Sequence, residues 1–216
     1  METVLVERFT QGIRLTHWIH GILIVLFMIT GYGIYSGSYL FSDYATNLAL
    51  HIIMSFAVVM DGIAHLYFMS ISGDRRAMWV EKKDIEDTIT IAKSWLGLTK
   101  AYPEYGTYDV DKKQFYGKYH PVVKMKYWAD ACFVGFAAIT GYIMYYESVA
   151  NYAGSLLGFL GLPLALTWIR AIHFIVFIYF LVSLSGHIYL SVLPVNWEVL
   201  KSMITGKENV EVHKPH

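Results

Sequence analysis

From Leu15 to Ser42 the chain contains no Lys, Arg, Asp or Glu. Such a run is long enough to cross a hydrocarbon core of about 30 Å as a helix, which takes about 20 apolar residues. In lipid every backbone N–H and C=O must find its partner within the segment, so a spanning stretch of this kind has to be helical. Three further runs repeat the pattern. Residues 45–71 are interrupted only by Asp61, 122–146 carry Asp130 inside, and 164–193 carry Arg170. With Leu15–Tyr35 as the first, these four spans predict an all-α membrane protein, a four-transmembrane-helix bundle forming one domain over 1–216. Apolar residues make up 56% of the chain, above the share usual in soluble domains. The stretch Tyr152–Ile169 is also apolar. Gly154, Gly158, Gly161 and Pro163 argue against an independent helix there, and it reads as an outer surface segment leading into the fourth span, with a fifth crossing as the alternative.

Orientation follows from the cations. Of the 17 Lys and Arg residues, all but Arg170 precede the first span, lie between the second and third spans or at the start of the third, or follow the fourth. The positive-inside rule makes that face cytoplasmic and puts both termini inside. The first span reads as a retained anchor, because its apolar run is too long for a signal peptide. A formal net charge of zero argues against nucleic acid as a partner. In the inner loop 72–121, Asp84 is expected to cap an interfacial helix ending at Trp95, with Ile85, Ile89, Ala92 and Leu96 toward the membrane surface. The turn-rich remainder is expected to dock a partner or cover a cofactor.

The histidines then carry the chemistry. With Cys132 as the one cysteine, thiolate-held clusters and covalent haem attachment are excluded, whereas there are nine histidines. His51 and His65 lie fourteen residues apart on the second span, and His173 and His187 fourteen apart on the fourth. Fourteen helical residues return to within about 40° of the starting direction after a rise of about 21 Å. Each helix therefore presents two imidazoles on one face, at two depths. A zinc site would gather three or four ligands at one point. Pairs at separate depths instead suit a six-coordinate haem iron with no open position, which moves electrons. On the outer side only His51 and His173 match in depth. On the inner side His17, His65 and His187 all qualify. Gly21, Gly31, Gly62, Gly135, Gly141 and Gly186 are candidates for the close approach of a flat macrocycle, with helix packing as the plainer reading. Asp61 and Asp130 in the inner half are proton-path candidates or hydrogen-bond partners of a neighbouring helix; His20 accompanies His17 at the inner end of the first span.

The motifs Arg14-Leu15-Thr16-His17-Trp18, Gly117-Lys118-Tyr119, Lys124-Met125-Lys126-Tyr127-Trp128, His173 with His187-Ile188-Tyr189, and the tail Trp197…Met203-Ile204-Thr205-Gly206-Lys207 together resemble one family. It is the dihaem cytochrome b subunit of membrane-bound formate dehydrogenases, similar also to the b-type cytochrome subunit of nickel–iron hydrogenases. The resemblance implies two non-covalent haem b groups, one on His17 and His187 and one on His51 and His173. It puts His65 near a propionate of the inner haem, where hydrogenase relatives carry an arginine; Arg170, one turn from His173, is either the propionate partner of the outer haem or a plain interfacial anchor. It implies a multi-pass protein of a prokaryotic inner membrane. Its partners would be an iron–sulfur subunit and a catalytic molybdenum, tungsten or nickel–iron subunit, in a complex that can oligomerise further. Electrons would pass to menaquinone or another membrane quinone. Lys118, Tyr119, His120 and Asp130 are the quinone-site candidates, although His120-Pro121-Val122-Val123 departs from the Asn and Gln side chains of formate dehydrogenases. A thiosulfate- or polysulfide-type molybdopterin partner is a close variant. A transporter lined by His and Asp is the competing class, and it would cluster its ligands near the midplane.

Overall fold

The computed structural model describes residues 3–39, 43–159, 161 and 166–212. Pro163, together with Leu164 and Ala165 at the start of the expected fourth span, lies outside the described residues. In chain order the elements are β1 Thr3–Glu7, α1 Gln11–Ser36, α2 Tyr44–Ile71, α3 Asp74–Ala77, α4 Lys82–Trp95, β2 Thr107–Asp109, β3 Gln114–Tyr116, α5 Pro121–Tyr145, α6 Glu147–Phe159, α7 Leu166–Ser191, a 3-10 turn Pro194–Asn196, α8 Trp197–Thr205 and β4 Lys207–Glu211. The protein is mostly helical, and α1, α2, α5 and α7, with 26, 28, 25 and 26 residues, are long and apolar enough to cross a membrane. At about 1.5 Å per residue each exceeds the hydrocarbon thickness of about 30 Å. Leu15, Ile22, Ile53, Phe56, Ile63, Ile139, Ile175 and Val182 all face outward on these helices. That is the surface of a protein whose solvent is lipid.

Two local expectations are corrected. The segment after the third span is helical: α6 runs for 13 residues, through Gly154 and Gly158. A glycine costs a helix only about 1 kcal/mol, and the other residues carry the turn. The helix stops near Gly161, which has φ +73° and donates its N–H to the Gly158 carbonyl at 3.0 Å. At about 20 Å, α6 is too short for a fifth crossing. In α4 the capping residue is Glu81 rather than Asp84. Asp84 sits three positions later, where its Oδ2 accepts the Glu81 N–H at 2.8 Å and both its oxygens accept from Lys124 Nζ, at 2.9 and 3.1 Å. Ile85, Ile89, Trp95 and Leu96 are exposed on α4, with Ile91 fully buried beneath them. Short strands accompany the expected helices. Two small antiparallel sheets pair β1 with β4 (Thr3↔Glu211 to Glu7↔Lys207) and β2 with β3.

The chain divides into two compact units. The first comprises residues 1–24, 56–128 and 190–216. Its core is Phe9, Ile13, Met69, Met78 and Tyr119, with Phe68, Tyr127, Val199 and Met203 packed around them. Helices α1 and α2 approach closely here: a Cβ on Gly12 would collide with the Phe68 ring. The β1–β4 sheet joins the two ends of the chain, and the turn into β4 needs Gly206. Its φ is +86°, its carbonyl accepts the Arg8 N–H at 2.8 Å, and a Cβ would meet the Phe9 carbonyl at 3.1 Å. The second unit comprises residues 25–55 and 129–189. Aromatic stacking ties α1 to α7 through Tyr35–Phe174 at 4.6 Å, and α5 to α7 through Phe133–Tyr179 at 3.7 Å.

Beneath the β1–β4 sheet lies a buried charge network. Arg8, 7% exposed, donates to Glu208 Oε2 at 2.5 Å and to the Lys118 carbonyl, while Lys118 Nζ pairs with Asp74 Oδ1. The cations of Arg8 and Lys118 also lie over the rings of Phe9 and Phe115. Burial lowers the pKa of Lys118, and Asp74 acts against that shift. Deleting one member of such a buried pair leaves the other charge uncompensated, at a cost of about 3–5 kcal/mol. Glu208→Ala is therefore expected to destabilise the protein by about that amount. Thermal unfolding of the detergent-solubilised protein checks this, and an unchanged midpoint would show the network to be energetically idle.

Candidate functional site

In the second unit two histidines from different helices come together. The rings of His51 on α2 and His173 on α7 have centroids 6.4 Å apart and planes inclined at 64°. Each ring is held by a helix that contributes no histidine to the pair. On α1, residues 27, 30 and 31 share one face and all touch His51. Phe27 stacks on its ring at 4.0 Å, Thr30 Oγ1 bonds Nδ1 at 2.9 Å, and Gly31 lies so close that a Cβ would stand 3.1 Å from Cε1. On α5, Thr140 Oγ1 bonds His173 Nδ1 at 2.7 Å, and a Cβ on Gly141 would lie 3.5 Å from His173 Cε1. Asn47, fully buried one turn before His51, donates to the Thr30 carbonyl at 2.7 Å and fixes the register of α1 against α2.

These contacts expose a signal that the sequence reading passes over. The tetrapeptide Ile-Thr-Gly-Tyr occurs twice, at Ile29-Thr30-Gly31-Tyr32 and at Ile139-Thr140-Gly141-Tyr142. Each copy supplies the threonine and the glycine that face one histidine. The glycines therefore separate into two groups. Gly31 and Gly141 pack against imidazoles, whereas a Cβ on Gly21, Gly62, Gly135 or Gly186 would meet no atom within 4 Å, so tight helix crossing does not explain these four.

The first unit holds the remaining imidazoles of the spans, apart from His187. His65 Nδ1 bonds Thr16 Oγ1 at 2.8 Å, a third threonine–histidine pair, and the His65 ring lies 6.0 Å from that of Tyr127. His20 Nδ1 lies 3.1 Å from Asp61 Oδ2, and that carboxylate is almost fully buried. His17 is half-buried, with Trp18 edge-on at 5.4 Å. The neighbours of His17 in its motif have structural duties. Arg14 bonds the Ile204 carbonyl, and Trp18 Nε1 donates to the Met203 carbonyl at 3.0 Å, clamping α1 to α8. His187 is half-buried on α7 in the second unit, which also contains the exposed Arg170.

Most of the quinone-site candidates have their polar atoms engaged by the fold. Lys118 pairs with Asp74, and Tyr119 is buried in the core of the first unit, with burial raising its pKa well above the usual range. His120 Nδ1 accepts the Val122 N–H at 3.2 Å at the start of α5, which leaves Nε2–H facing Tyr102 Oη at 3.2 Å. Asp130 accepts from Tyr179 Oη at 2.7 Å and from Ser183 Oγ at 3.2 Å, binding α5 to α7. None of the four lines the cavity of about 480 Å³ bounded by Leu66, Met69, Arg75, Arg76, Met78, Trp79, Tyr127 and Trp128.

The residues present at His51 and His173 fit a bis-imidazole haem. A metal–imidazole bond of about 2 Å and about 1.1 Å from nitrogen to ring centre, taken twice, give about 6.3 Å between centroids; the observed separation is 6.4 Å. Among the described residues, no three of His, Cys, Asp and Glu gather as a bare metal site would need.

Sequence comparison agrees with this geometry. The profile of a family described as prokaryotic cytochrome b561 matches residues 8–206 and so includes all the histidines of the spans. A protein of Methanosarcina mazei named as the F420 non-reducing hydrogenase II cytochrome subunit is 25% identical over 231 residues, covering 97% of this chain and 85% of its own.

The environment of His120 sets a pH dependence. Burial lowers its pKa from the usual 6.5 to about 4. Between those values the unfolded chain binds a proton that the folded chain refuses, so stability rises with pH across this window and is lost as pH falls through it. His120→Gln keeps an acceptor and a donor but does not titrate. It is expected to flatten the slope of the thermal midpoint between about pH 6.5 and pH 4 relative to the parent; parallel slopes would show that His120 is not the titrating group.

Proposed function

The chain belongs to the prokaryotic cytochrome b561 family, and from that we propose that it carries electrons across the membrane through two b-type haems, from an iron–sulfur partner to a membrane quinone. Membership of the family implies b-type haem, which supplies reversible one-electron transfer when bound. The observation that carries the proposal is the matched pair His51 and His173, held at 6.4 Å by the Thr-Gly pairs of α1 and α5. We assign the outer haem to these two. The inner haem is assigned to His17 and His187 through the resemblance carried by the Arg14–Trp18 and His187-Ile188-Tyr189 motifs, since spacing and depth leave His65 equally eligible. His65 is assigned a place beside the inner haem rather than on its iron because the resemblance puts it where hydrogenase relatives carry an arginine; its bond to Thr16 does not by itself decide between the two.

The donor is proposed to be a hydrogenase-type complex with iron–sulfur and catalytic subunits. The name of the Methanosarcina mazei relative favours this over a formate dehydrogenase or a thiosulfate- or polysulfide-type enzyme. For the acceptor, the cavity beside Tyr127 has a volume in the range that takes a small-molecule ring, and its walls combine aromatic, methionine and leucine side chains with Arg75 and Arg76. It belongs to the unit that carries the cation-rich loop, which the positive-inside rule makes cytoplasmic. Electrons would then move inward, against a negative interior, at a cost of about 2.3 kcal/mol per 100 mV. The donor must be more reducing than the quinone by more than that for the process to conserve energy.

Histidine replacement with haem quantification tests the scheme. The parent is expected to give two extractable haems per chain in a pyridine haemochrome assay. His51→Ala or His173→Ala should each abolish the outer haem, and His17→Ala or His187→Ala the inner one. His65→Ala should keep both and alter only a potential. A parent without reduced b-type bands would end the proposal. Haem lost in His65→Ala but kept in His17→Ala would move the inner ligand to α2.

A further inference from the structure

Thr30 and Thr140 each stand one bond away from a proposed haem ligand, and the direction of that bond follows from their other contacts. Thr30 Oγ1 lies 3.0 Å from both the Leu26 and the Phe27 carbonyl oxygens. Thr140 Oγ1 lies 2.6 Å from the Phe136 carbonyl and 3.2 Å from that of Ala137. A carbonyl offers only lone pairs, and a hydroxyl has a single hydrogen. Were that hydrogen turned to the imidazole, lone pairs would face lone pairs at these distances. The hydrogen is therefore spent on the helix backbone, and the threonine oxygen is left as an acceptor. His51 and His173 must in turn present Nδ1–H to it. A neutral imidazole with its proton on Nδ1 has its lone pair on Nε2.

We propose that Thr30 and Thr140, the threonines of the two Ile-Thr-Gly-Tyr copies, are positioning residues that fix His51 and His173 in the Nδ1–H tautomer, aim Nε2 at the iron and set the potential of the outer haem. The proposal rests on the assignment of His51 and His173 as ligands. Accepting the Nδ1 proton makes an imidazole the more electron-donating ligand and so favours the oxidised metal. It also holds the ring against rotation, because Nδ1–H has no water to turn to inside a membrane. Gly31 and Gly141 complete the cradles by keeping Cβ atoms away from Cε1. The two copies are not equal: alanine at 31 would have to displace the His51 ring, whereas alanine at 141 makes an ordinary contact. Thr16 repeats the device, with Oγ1 at 2.9 Å from the Gly12 carbonyl and 3.1 Å from that of Ile13, but its imidazole is His65. It therefore serves as an internal control.

The experiment is a redox titration of the detergent-solubilised full chain, followed by optical and low-temperature EPR spectra, for Thr30→Val, Thr140→Val, Thr16→Val and the Thr→Ser forms of the first two. Valine keeps the shape and removes the acceptor. Each of Thr30→Val and Thr140→Val is expected to raise the midpoint potential of the outer haem, or to lose that haem, and to leave the inner haem unmoved. The serine forms are expected to restore parental haem content and potential, and Thr16→Val to leave the outer potential unchanged. Unshifted outer potentials with full haem in both valine variants would overturn the proposal. So would loss of haem in the serine forms as well, since packing and not the hydroxyl would then be at work, or an equal outer shift in Thr16→Val. Retention of both haems in His51→Ala would instead remove the ligand assignment itself, a separate failure recognisable in the same spectra.

Discussion

A neutral imidazole in a membrane has one N–H that must be given to something, and lipid accepts nothing. Much of the arrangement of the spans follows from where those protons go. His51 and His173 turn Nδ1 to threonines on α1 and α5, His65 turns Nδ1 to Thr16, and His20 turns Nδ1 to Asp61. Every one of these bonds runs between two helices. The same holds for Asp130, whose carboxylate takes hydroxyl protons from two α7 residues. Without a hydrophobic force to drive helices together in lipid, such bonds and close small-residue contacts are what select neighbours. The polar groups that look like chemistry in the sequence are thus also the fasteners of the fold. A substitution at any of them tests both roles together, which is why conservative replacements and spectra are more informative than activity alone.

Outside the spans the logic changes, because water is near and charge becomes affordable. Arg8, Lys118, Asp74 and Glu208 link β1, β4, α3 and the segment before α5, while Lys124 and Asp84 tie α5 to α4. The network carries the first and last strands of the chain against one another and gives the cation-rich loop a fixed shape. Many of the cations on which the expected orientation rests have no part in this: Lys82, Lys93, Lys100 and Lys201 are exposed, whereas Lys118 and Lys124 are not. The positive-inside rule counts both kinds alike, yet it is Lys118 and Lys124 that join separate elements in this network.

That distinction explains what the sequence could and could not reveal. The four crossings are legible because the solvent dictates them: an apolar run of more than about 20 residues, even with one carboxylate inside it, has almost no alternative to a helix in lipid. The pairing of His51 with His173 is legible because no other histidine of the spans shares their depth. The β1–β4 sheet is not, since its strands stand at opposite ends of the chain and nothing local in Thr3–Glu7 names Lys207–Glu211 as partner. Helix α6 is hidden behind glycines whose cost is smaller than their reputation. Lys118 and Tyr119 belong to a motif that resembles a quinone site, but a motif does not say which of its atoms are already spent on Asp74 and the core. The Ile-Thr-Gly-Tyr repeat is plainly visible as letters. Its meaning depends on α1 packing beside α2 and α5 beside α7, which is tertiary information.

The division of labour among the four long helices bears on electron transfer itself. In the second unit α2 and α7 supply the imidazoles, and α1 and α5 supply the acceptors and glycines that hold them. A ligand that must not change position between two oxidation states is best held at more than one point by elements that are themselves fixed. His51 meets this standard most fully, with Phe27 on its face, Thr30 on its Nδ1 and Gly31 at its Cε1, all from one helix whose register Asn47 fixes. His173 has the same two contacts from α5 and more room at Cε1. Neither ring can turn without breaking a bond that the membrane offers no means of replacing. If His51 and His173 hold a haem as proposed, a pair so constrained would have little to rearrange when an electron arrives or leaves, and would offer no ready way for one ring to swing aside and open a position for oxygen or substrate. The restriction that lipid places on a polar side chain is, at this site, also the property that a pure electron carrier needs.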